Sequence, residues 1–329
     1  MSSALPRLEV LDGWRGVSIL CVLAAHLLPM GPKSWEGNAM FGLLGMSLFF
    51  TLSGFLIMSF LLKNPPVMDF IVRRFFRIIP LAWLYLAIAL TMAGATPDSW
   101  MAHYFFYANL PPKQLVLLTD HIWSLCLEMQ FYVGIALMFA LFGVRSLLLV
   151  PLIGIAFTLF RVADGVYASS ISYYRIDEIL AGCTLALIYH KRLDPRLLEW
   201  MKKVPQWLLL VLLLVSCHEQ GGAFNYLRPY FAALLVGATV VNPDHRLARL
   251  LDNRVLVYLA TVSYALYVIH PMLAYGTWLG SGDTIVKYLK RPLLFIVLFI
   301  LAHLSTFYYE QWWNNSGRTL AKKLRFRAA

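Results

Sequence analysis

The chain is predicted to be an all-α integral membrane protein, a bundle of about ten transmembrane helices with both termini in the cytoplasm. Three observations support this prediction. The 329 residues are 60% hydrophobic and 14% charged, with a mean hydropathy of +0.67, whereas soluble domains carry about 25% charged residues. The apolar residues form blocks of about 20, the length that crosses a bilayer as a helix. Lys and Arg are distributed unequally between the loops.

Ten apolar blocks are predicted to span the membrane. They lie near 14–30, 41–62, 78–95, 123–142, 146–162, 176–190, 207–217, 229–242, 255–279 and 292–313. The aromatic segment 100–118 is predicted to lie in the membrane interface. Of the 28 Lys and Arg residues, 19 lie before the first span, in even-numbered loops or after the tenth, and eight lie in odd-numbered loops. This bias predicts that both ends are cytoplasmic.

Composition also limits the classes of function. We expect a single domain over residues 1–329 with no appended soluble domain. The chain has no Walker-type glycine loop, which argues against an ATPase. Its four cysteines lie in apolar segments without metal-ligand spacing, so we expect no metal site. The net charge of +11 is attributed to membrane orientation, since no basic, aromatic module for nucleic acid is present.

An ionisable pair in the first span is the most informative feature. Arg15 and His26 are eleven positions apart, a helical rise of about 16 Å, which is about half the hydrocarbon thickness. With Arg15 near the cytoplasmic face, His26 lies toward the outer face, at a depth where ionisable residues indicate function. A His can act as a general base near neutral pH. The alternatives are a snorkelling residue for Arg15 and a helix-packing contact for His26.

A basic cluster precedes the third predicted span, in the sequence F-I-V-R-R-F-F-R-I-I-P at 70–80. Arg74 and Arg77 are three apart and share a helical face, whereas Arg73 is expected to face elsewhere. Guanidinium groups bind phosphate oxygens in a bidentate manner, so the pair suits a phosphorylated ligand. The alternative is ordinary positive-inside charge. Pro80 is expected at a helix boundary or a kink.

A carboxylate lies within the fourth predicted span, in H-I-W-S-L-C-L-E-M-Q-F-Y at 121–132. Glu128 can share a helical face with His121 and Ser124. A carboxylate can orient a catalytic imidazole and stabilise its cationic form. The alternative is a polar contact between helices. We expect Glu128 on the same side of the membrane as His26, opposite the arginines of 70–80.

Two further segments add polar residues on the predicted outer side. In Y-R-I-D-E-I-L-A-G at 174–182, Arg175 and Asp177 are interpreted either as a pair lining a polar cavity or as interfacial charges. In S-Y-A-L-Y-V-I-H-P at 263–271, His270 precedes Pro271, and the alternative is that it simply ends a helix.

Together these segments resemble the acyltransferase-3 family of integral membrane acyltransferases. The resemblance covers almost the whole chain and rests on six motifs in the family's order. They are L-D-G-W-R-G with its spaced His, G-M-S-L-F-F-T-L-S-G-F-L-I at 45–57, and the four segments quoted above. The resemblance implies a ten-helix bundle that moves an acyl group, commonly acetyl, from cytoplasmic acyl-CoA to a carbohydrate hydroxyl, often at the outer face.

The resemblance also implies roles for single residues. His26 is expected to be the catalytic base, and Glu128 matches the family's acidic position in the fourth helix. Arg15 is the partner of His26 in the family's spaced pair, and Arg74 and Arg77 match its Arg-x-x-Arg element, which is expected near the CoA phosphates. Beyond the resemblance, our hypothesis adds Arg73 and Arg15 to the donor contacts, and it expects the acceptor contacts from Asp12, Trp123, Ser124, Arg175, Asp177 and His270. The chain departs from the family's pattern at Ser47, where many members have Asp, and at Met129, where many have a second Glu.

The predicted function is therefore O-acylation of a cell-envelope or secreted glycan in the bacterial inner (cytoplasmic) membrane. The expected partners are acyl-CoA, a carbohydrate or glycolipid acceptor and membrane lipids, without nucleic acid or metal. Direct transfer and a covalent acyl-His26 intermediate both remain open. A secondary transporter or flippase for a polar or lipid-linked sugar explains the spans and buried charges equally well. A membrane scaffold or receptor explains the spans but not the clustered His, Glu and Arg.

Overall fold

The protein is built from α-helices. The computed structural model describes residues 9–328, with side chains described through Leu324, and this part of the chain contains no β-strand. Arg7, Arg325 and Arg327, which contribute to the charge bias, therefore lie outside the described residues or have undescribed side chains. The α-helices are, in chain order, α1 (Glu9–Leu27), α2 (Gly37–Leu61), α3 (Val67–Met92), α4 (Pro97–Tyr104), α5 (Trp123–Phe142), α6 (Val150–Ala163), α7 (Ile176–Tyr189), α8 (Pro195–Lys203), α9 (Gln206–Cys217), α10 (Phe224–Val241), α11 (Arg246–Leu251), α12 (Arg254–Tyr275), α13 (Thr284–Leu289), α14 (Arg291–Leu304) and α15 (Gln311–Ala328). The π-helical segment Ser305–Glu310 joins α14 to α15.

Eight helical segments of the described chain are long and apolar enough to cross a bilayer. They are Glu9–Leu27, Lys33–Leu61, Val67–Met92, Leu117–Phe142, Val144–Ala163, Phe224–Val241, Arg254–Tyr275 and Arg291–Leu324. The pair α8 and α9, bent by 91°, is a ninth candidate if it forms one broken span. The prediction of an all-α membrane protein is confirmed.

The predicted number of ten spans is higher than this count. Predicted span 176–190 corresponds to α7, whose 14 residues rise about 21 Å and are shorter than the hydrocarbon core. Predicted span 207–217 corresponds to α9, which is preceded by the sharp bend after α8. Pro205 lies at that bend, where its ring restricts the residue before it to extended conformations.

Helix α3 begins at Val67, earlier than the predicted start at 78. Its arginines therefore lie within the helix and not in the preceding loop. Arg73 Nε donates to Asp69 Oδ1 at 3.0 Å, one turn away, and long arginine side chains can keep their charged ends near water. Pro80 lies inside α3 and not at its boundary.

The described chain divides into two compact units. The first unit contains the chain up to Leu56 together with Glu178–Ser263. The second unit contains Ile57–Asp177 together with the chain from Tyr264 onward.

Within the first unit, two glycines allow α1 to pack closely on α11 and α12. A Cβ on Gly13 would lie 2.3 Å from the carbonyl oxygen of Leu251, and one on Gly16 would lie 2.6 Å from a carbonyl oxygen in α12. Trp14 is buried and donates Nε1–H to the hydroxyl of Thr239 at 2.9 Å. The residues of L-D-G-W-R-G therefore fix the position of α1.

An ion pair is buried within the same unit. Arg228 of α10 donates Nε–H to Glu178 of α7 at 3.1 Å, and both side chains are 0% exposed. Arg228 also donates to the carbonyl oxygen of Ser216 at 3.3 Å. Burial of either charge alone would cost several kcal/mol, so each residue stabilises the other in the folded protein.

Within the second unit, α15 packs antiparallel to α3. Tyr309 Oη, just before α15, donates to the carbonyl oxygen of Pro80 at 3.2 Å. Further along α15, a Cβ on Gly317 would lie 2.6 Å from Cβ of Phe76. The absence of a side chain on Gly317 is therefore what permits this close contact.

His103 joins α4 to the segment before α5. Its Nδ1 lies 2.7 Å from the carbonyl oxygen of Ser99, and its Nε2 lies 2.7 Å from Thr119 Oγ1. A neutral ring that donates from Nδ1 and accepts at Nε2 satisfies both partners. Burial lowers the pKa of His103 below its usual value.

Acidification is therefore expected to destabilise this segment. The unfolded chain binds a proton on His103 as the pH falls through about 6.5, whereas the folded chain binds it only at lower pH. This contribution to stability is complete above about pH 6.5 and is lost as the pH falls from there toward the folded-state pKa. Melting temperatures between pH 7.5 and 5 should fall for the unsubstituted protein and depend less on pH in His103→Gln. Identical pH profiles would contradict the assignment.

Candidate active site

Helix α1 carries His26 in its last turn, where the side chain is exposed. Asn38 of α2 holds this end of the helix. Its Nδ2 donates to the carbonyl oxygens of Ala25 at 2.7 Å and Leu28 at 2.8 Å, and its Oδ1 accepts from the backbone N–H of Met30 at 3.3 Å. The last carbonyls of a helix lack intrahelical donors, so Asn38 caps α1 and fixes the backbone that carries the imidazole.

Asp12 and Arg15 lie near the opposite end of the same helix. Both are half-buried. The structure therefore places the ionisable pair, Arg15 and His26, on one continuous helix.

In the second unit, four arginines line one cavity of about 240 Å³. Arg73, Arg74 and Arg77 come from α3, and Arg318 comes from α15. Arg73, which was predicted to face elsewhere, lines the same cavity as the other two, and its guanidinium is paired with Asp69 at 3.0 Å. The remaining lining residues are Asn314, Phe60 and Phe70. Several guanidinium groups in one cavity suit a ligand with phosphate oxygens.

Tyr132 connects Arg74 to Glu128. The Arg74 guanidinium carbon lies 5.7 Å from the centroid of the Tyr132 ring and 5.9 Å from that of Phe70. The Tyr132 hydroxyl donates a short hydrogen bond to the Glu128 carboxylate, which is buried. We predicted that Glu128 lies on the opposite side of the membrane from the arginines. The structure instead connects the two through a single side chain, because Tyr132 is one turn after Glu128 on α5.

An apolar groove of about 330 Å³ adjoins the arginine cavity, between α3 and α5. Phe70 and Arg74 line both spaces. The other residues of the groove are Val67, Ile71, Phe75, Met129, Tyr132, Val133, Ala136, Leu137 and Ala140. Several of these apolar side chains are exposed, so the groove opens toward the lipid side of the two helices.

Ser124 and two histidines form a polar cluster around Tyr267. The rings of His121 and His270 are 5.4 Å apart between centroids, and both are buried. Tyr267 Oη lies 2.6 Å from Ser124 Oγ and donates to the carbonyl oxygen of His121. Helix α12 continues through Pro271, so His270 does not end the helix.

Asp177 forms an ion pair with Arg161, a residue that lies outside the sequence motifs. Arg161 Nη2 lies 2.9 Å from Asp177 Oδ2, and Thr158 Oγ1 donates to the same oxygen at 2.9 Å. Arg175 is buried beside Trp123, with its guanidinium carbon 5.2 Å from the centroid of the ring. Arg175 and Asp177 are therefore both buried, and so is Arg161, the ion-pair partner of Asp177.

Sequence reasoning also missed a carboxylate in the last membrane-spanning segment. Glu310 ends the π-helical segment and accepts hydrogen bonds from Ser305 Oγ at 3.0 Å and Thr306 Oγ1 at 3.2 Å. The signal was present, since an acidic residue within predicted span 292–313 indicates a functional site. π-Helical turns are frequent at such sites.

In the described part of the chain, no group of three His, Cys, Asp or Glu side chains could hold a metal ion. The residues with candidate chemistry are instead a histidine, paired charges and arginines.

Comparison with known proteins identifies the family. The family model described as "Acyltransferase domain" (acyltransferase-3) matches residues 8–310. The chain belongs to the acyltransferase-3 family. No solved structure matches the chain.

Relatives of this acyltransferase-3 chain occur in bacteria. A protein of Bacillus subtilis (strain 168) named "Putative peptidoglycan O-acetyltransferase YrhL" is 28% identical over 92% of the chain and 54% of its own length. The peptidoglycan O-acetyltransferase OatA of Listeria monocytogenes is 26% identical over 79% of the chain and 48% of its own length. The chain spans about half the length of the curated relatives it matches.

Ser47 and Met129, at which this acyltransferase-3 chain departs from the family's pattern, have different surroundings. Ser47 of α2 is fully buried, and its hydroxyl has no hydrogen-bond partner among the described residues. Met129 of α5 lines the apolar groove. Position 47 thus carries a small polar side chain, and position 129 carries an apolar one.

Proposed function

We propose that the protein is a membrane-bound O-acyltransferase that moves an acyl group, most simply acetyl, from acyl-CoA to a hydroxyl of a cell-envelope glycan. The cavity lined by Arg73, Arg74, Arg77 and Arg318 carries this proposal. An acyl donor with several phosphate groups is the ligand that such a cavity favours.

The acceptor is proposed from the relatives. Two relatives of the chain carry the printed names "Putative peptidoglycan O-acetyltransferase" and "Peptidoglycan O-acetyltransferase", so a cell-wall polysaccharide is the acceptor class to test first. The charge bias of the loops supports binding of the donor at the cytoplasmic face and transfer toward the outer face of a bacterial cytoplasmic membrane.

The proposed reaction assigns the proton transfer to His26. Its imidazole takes the proton of the acceptor hydroxyl as that oxygen attacks the thioester carbonyl carbon. The carbon–sulfur bond breaks, and the CoA sulfur leaves with the proton from His26, which gives an O-acyl ester and CoA. Glu128 is proposed to support the imidazolium electrostatically, and its link to Arg74 through Tyr132 supports a further role in holding the donor site.

The remaining predicted residues have proposed binding roles. Asp12 and Arg15 would shape the inner end of the donor path. The acceptor contacts are proposed for Trp123, Ser124, Arg175, Asp177 and His270. A covalent acyl-His26 intermediate predicts ping-pong kinetics, whereas direct transfer predicts a ternary complex. Family membership favours the enzyme over the transporter.

One assay tests the function. The full chain in lipid nanodiscs is mixed with acetyl-CoA and soluble cell-wall glycan strands, and free CoA and base-labile acetyl esters on the glycan are measured. We expect both products in equal amounts. Absence of both contradicts the proposal, and movement of a glycan across proteoliposomes without acetyl transfer would support the transporter.

Substitution of the α3 arginines tests the donor site. Arg74→Gln and Arg77→Gln should each raise the KM for acetyl-CoA by about 10- to 100-fold, since a hydrogen bond to a charged group contributes about 1.5–3 kcal/mol. Arg145→Gln is the matched control, because Arg145 is exposed and does not line the cavity. A KM that changes equally in all three variants would show that general charge, and not this cavity, attracts the donor.

A further inference from the structure

The arginine cavity has a second wall that the family motifs do not include. Asn314 and Arg318 of α15 face the three arginines of α3 across the same space. In sequence terms, Arg318 belongs to the basic segment after the tenth predicted span, where it is interpreted only as an orientation signal. Its place in the cavity also brings its positive charge to the ligand site.

The position of Arg318 follows from close packing. Gly317 lies against Phe76, where a Cβ would be 2.6 Å from Cβ of Phe76, and the rings of Trp313 and Phe76 are 5.9 Å apart. Arg318 directly follows this contact. Its backbone is therefore fixed against α3, even though its side chain is exposed.

The charges of the cavity favour a ligand with more than one phosphate group. Arg73 is paired with Asp69 at 3.0 Å. The remaining guanidinium charges belong to Arg74, Arg77 and Arg318. Three like charges in about 240 Å³ repel one another, and separate anionic groups on one ligand would offset that repulsion.

The antiparallel arrangement orders these arginines along α3. Tyr309 reaches Pro80, and Gly317 contacts Phe76, so residues after Gly317 lie toward the Val67 end of α3. Arg318 therefore lies on the side of the Phe76 contact toward the start of α3, as Arg73 and Arg74 also do, and Arg77 lies on the other side. An elongated donor whose thioester end points along α3 into the membrane would place its most distant phosphate on this first side, where Arg73 is paired with Asp69 and Arg318 approaches from α15.

We propose that Arg318 is a specificity-determining residue that binds the phosphate group farthest from the thioester, the ribose 3′-phosphate of acyl-CoA. This inference rests on the proposed function, in which acyl-CoA is the donor. Arg74 and Arg77 then hold the diphosphate. Removal of the 3′-phosphate from the donor and removal of the guanidinium from residue 318 should have the same effect, and the two effects should not add.

The test compares two donors and two variants. The kcat/KM for acetyl-CoA and for 3′-dephospho-acetyl-CoA is measured for the unsubstituted chain, Arg318→Gln and Lys322→Gln. The unsubstituted chain should prefer acetyl-CoA by about tenfold or more. In Arg318→Gln, kcat/KM for acetyl-CoA should fall by about the same factor. Its kcat/KM for 3′-dephospho-acetyl-CoA should stay within about twofold of that of the unsubstituted chain. Lys322 is an exposed cation one turn further along α15 and does not line the cavity, so its substitution should preserve the preference.

Three results would overturn the inference: no preference in the unsubstituted chain, an equal loss with both donors in Arg318→Gln, or the same loss in Lys322→Gln. Binding of adenosine 3′,5′-bisphosphate, measured by calorimetry, separates this failure from failure of the proposed function. If the unsubstituted chain uses neither donor but binds the bisphosphate and Arg318→Gln does not, the acyl-CoA reaction is wrong and phosphate binding by Arg318 stands. Failure of both measurements contradicts both. Equal melting temperatures of the variants exclude misfolding.

Discussion

Replacement of His26 with Ala is expected to lower the rate of acetyl transfer by about 10²- to 10⁴-fold, the range that general acid–base catalysis supplies. The substitution should leave the fold intact, because His26 is exposed in the last turn of α1. Asn38 bonds the backbone carbonyls on either side of it and not its side chain. The measurements are kcat and KM for acetyl-CoA and glycan, with the melting temperature as a check on folding.

His303→Ala is the matched control, since His303 is also an exposed histidine on a membrane-spanning helix. Its rate should stay within about twofold of that of the unsubstituted chain. Partial recovery of His26→Ala by added imidazole would support a chemical role over a packing role. Full activity of a well-folded His26→Ala protein would refute the assignment of the base.

Replacement of Glu178 with Ala is expected to lower the free energy of unfolding by about 3–5 kcal/mol, because it removes one partner of a buried ion pair. Glu178 and Arg228 are both 0% exposed, so water cannot replace the lost carboxylate. Unfolding by a denaturing detergent, followed by circular dichroism, gives the free energy. The double variant Glu178→Leu with Arg228→Met should recover most of the loss, since it removes both buried charges.

An exposed ion pair on α8 provides the control. Lys202 and Glu199 are also close, at 2.9 Å, but their side chains are 43% and 62% exposed. Glu199→Ala should therefore change the free energy of unfolding by less than about 1 kcal/mol. Equal losses in Glu178→Ala and Glu199→Ala would show that burial does not determine the contribution of the first pair.

The sequence predicts most of the helices because apolar length is a local property. The predicted helix ends are wrong where charged residues lie inside a helix or where the chain bends. Arg73, Arg74 and Arg77 moved the predicted start of the third span to residue 78, yet pairing with Asp69 and stacking on Phe70 allow them inside α3. The number of full-length spans is lower than predicted because α7 has only 14 residues and because a bend of 91° separates α8 from α9.

The candidate site was predictable only in part, for a different reason. Motif residues on one helix can be found by spacing, as with Arg74 and Arg77. The partners of Asp177 and of the arginine cavity are distant in the chain, as Arg161 and Arg318 illustrate. No periodicity within one segment encodes such contacts, because they depend on which helices pack together. The family resemblance identified the class of reaction but not these partners.

The π-helical segment between α14 and α15 has a consequence for insertions and deletions in this chain. Its i→i+5 bonding accommodates one residue more than an α-helical turn does, and one residue turns a helix by about 100°. The buried face of α15, with Gly317 and Ala321, therefore depends on that extra residue for its angular phase. A regular α-helix with the same number of residues over Ser305–Glu310 would present Ser316, in place of Gly317, to Phe76. Deletion of one residue from the segment, with a return to α-helical bonding, would keep Gly317 at this contact. The π-helical turn thus decides which residues of the last helix meet α3.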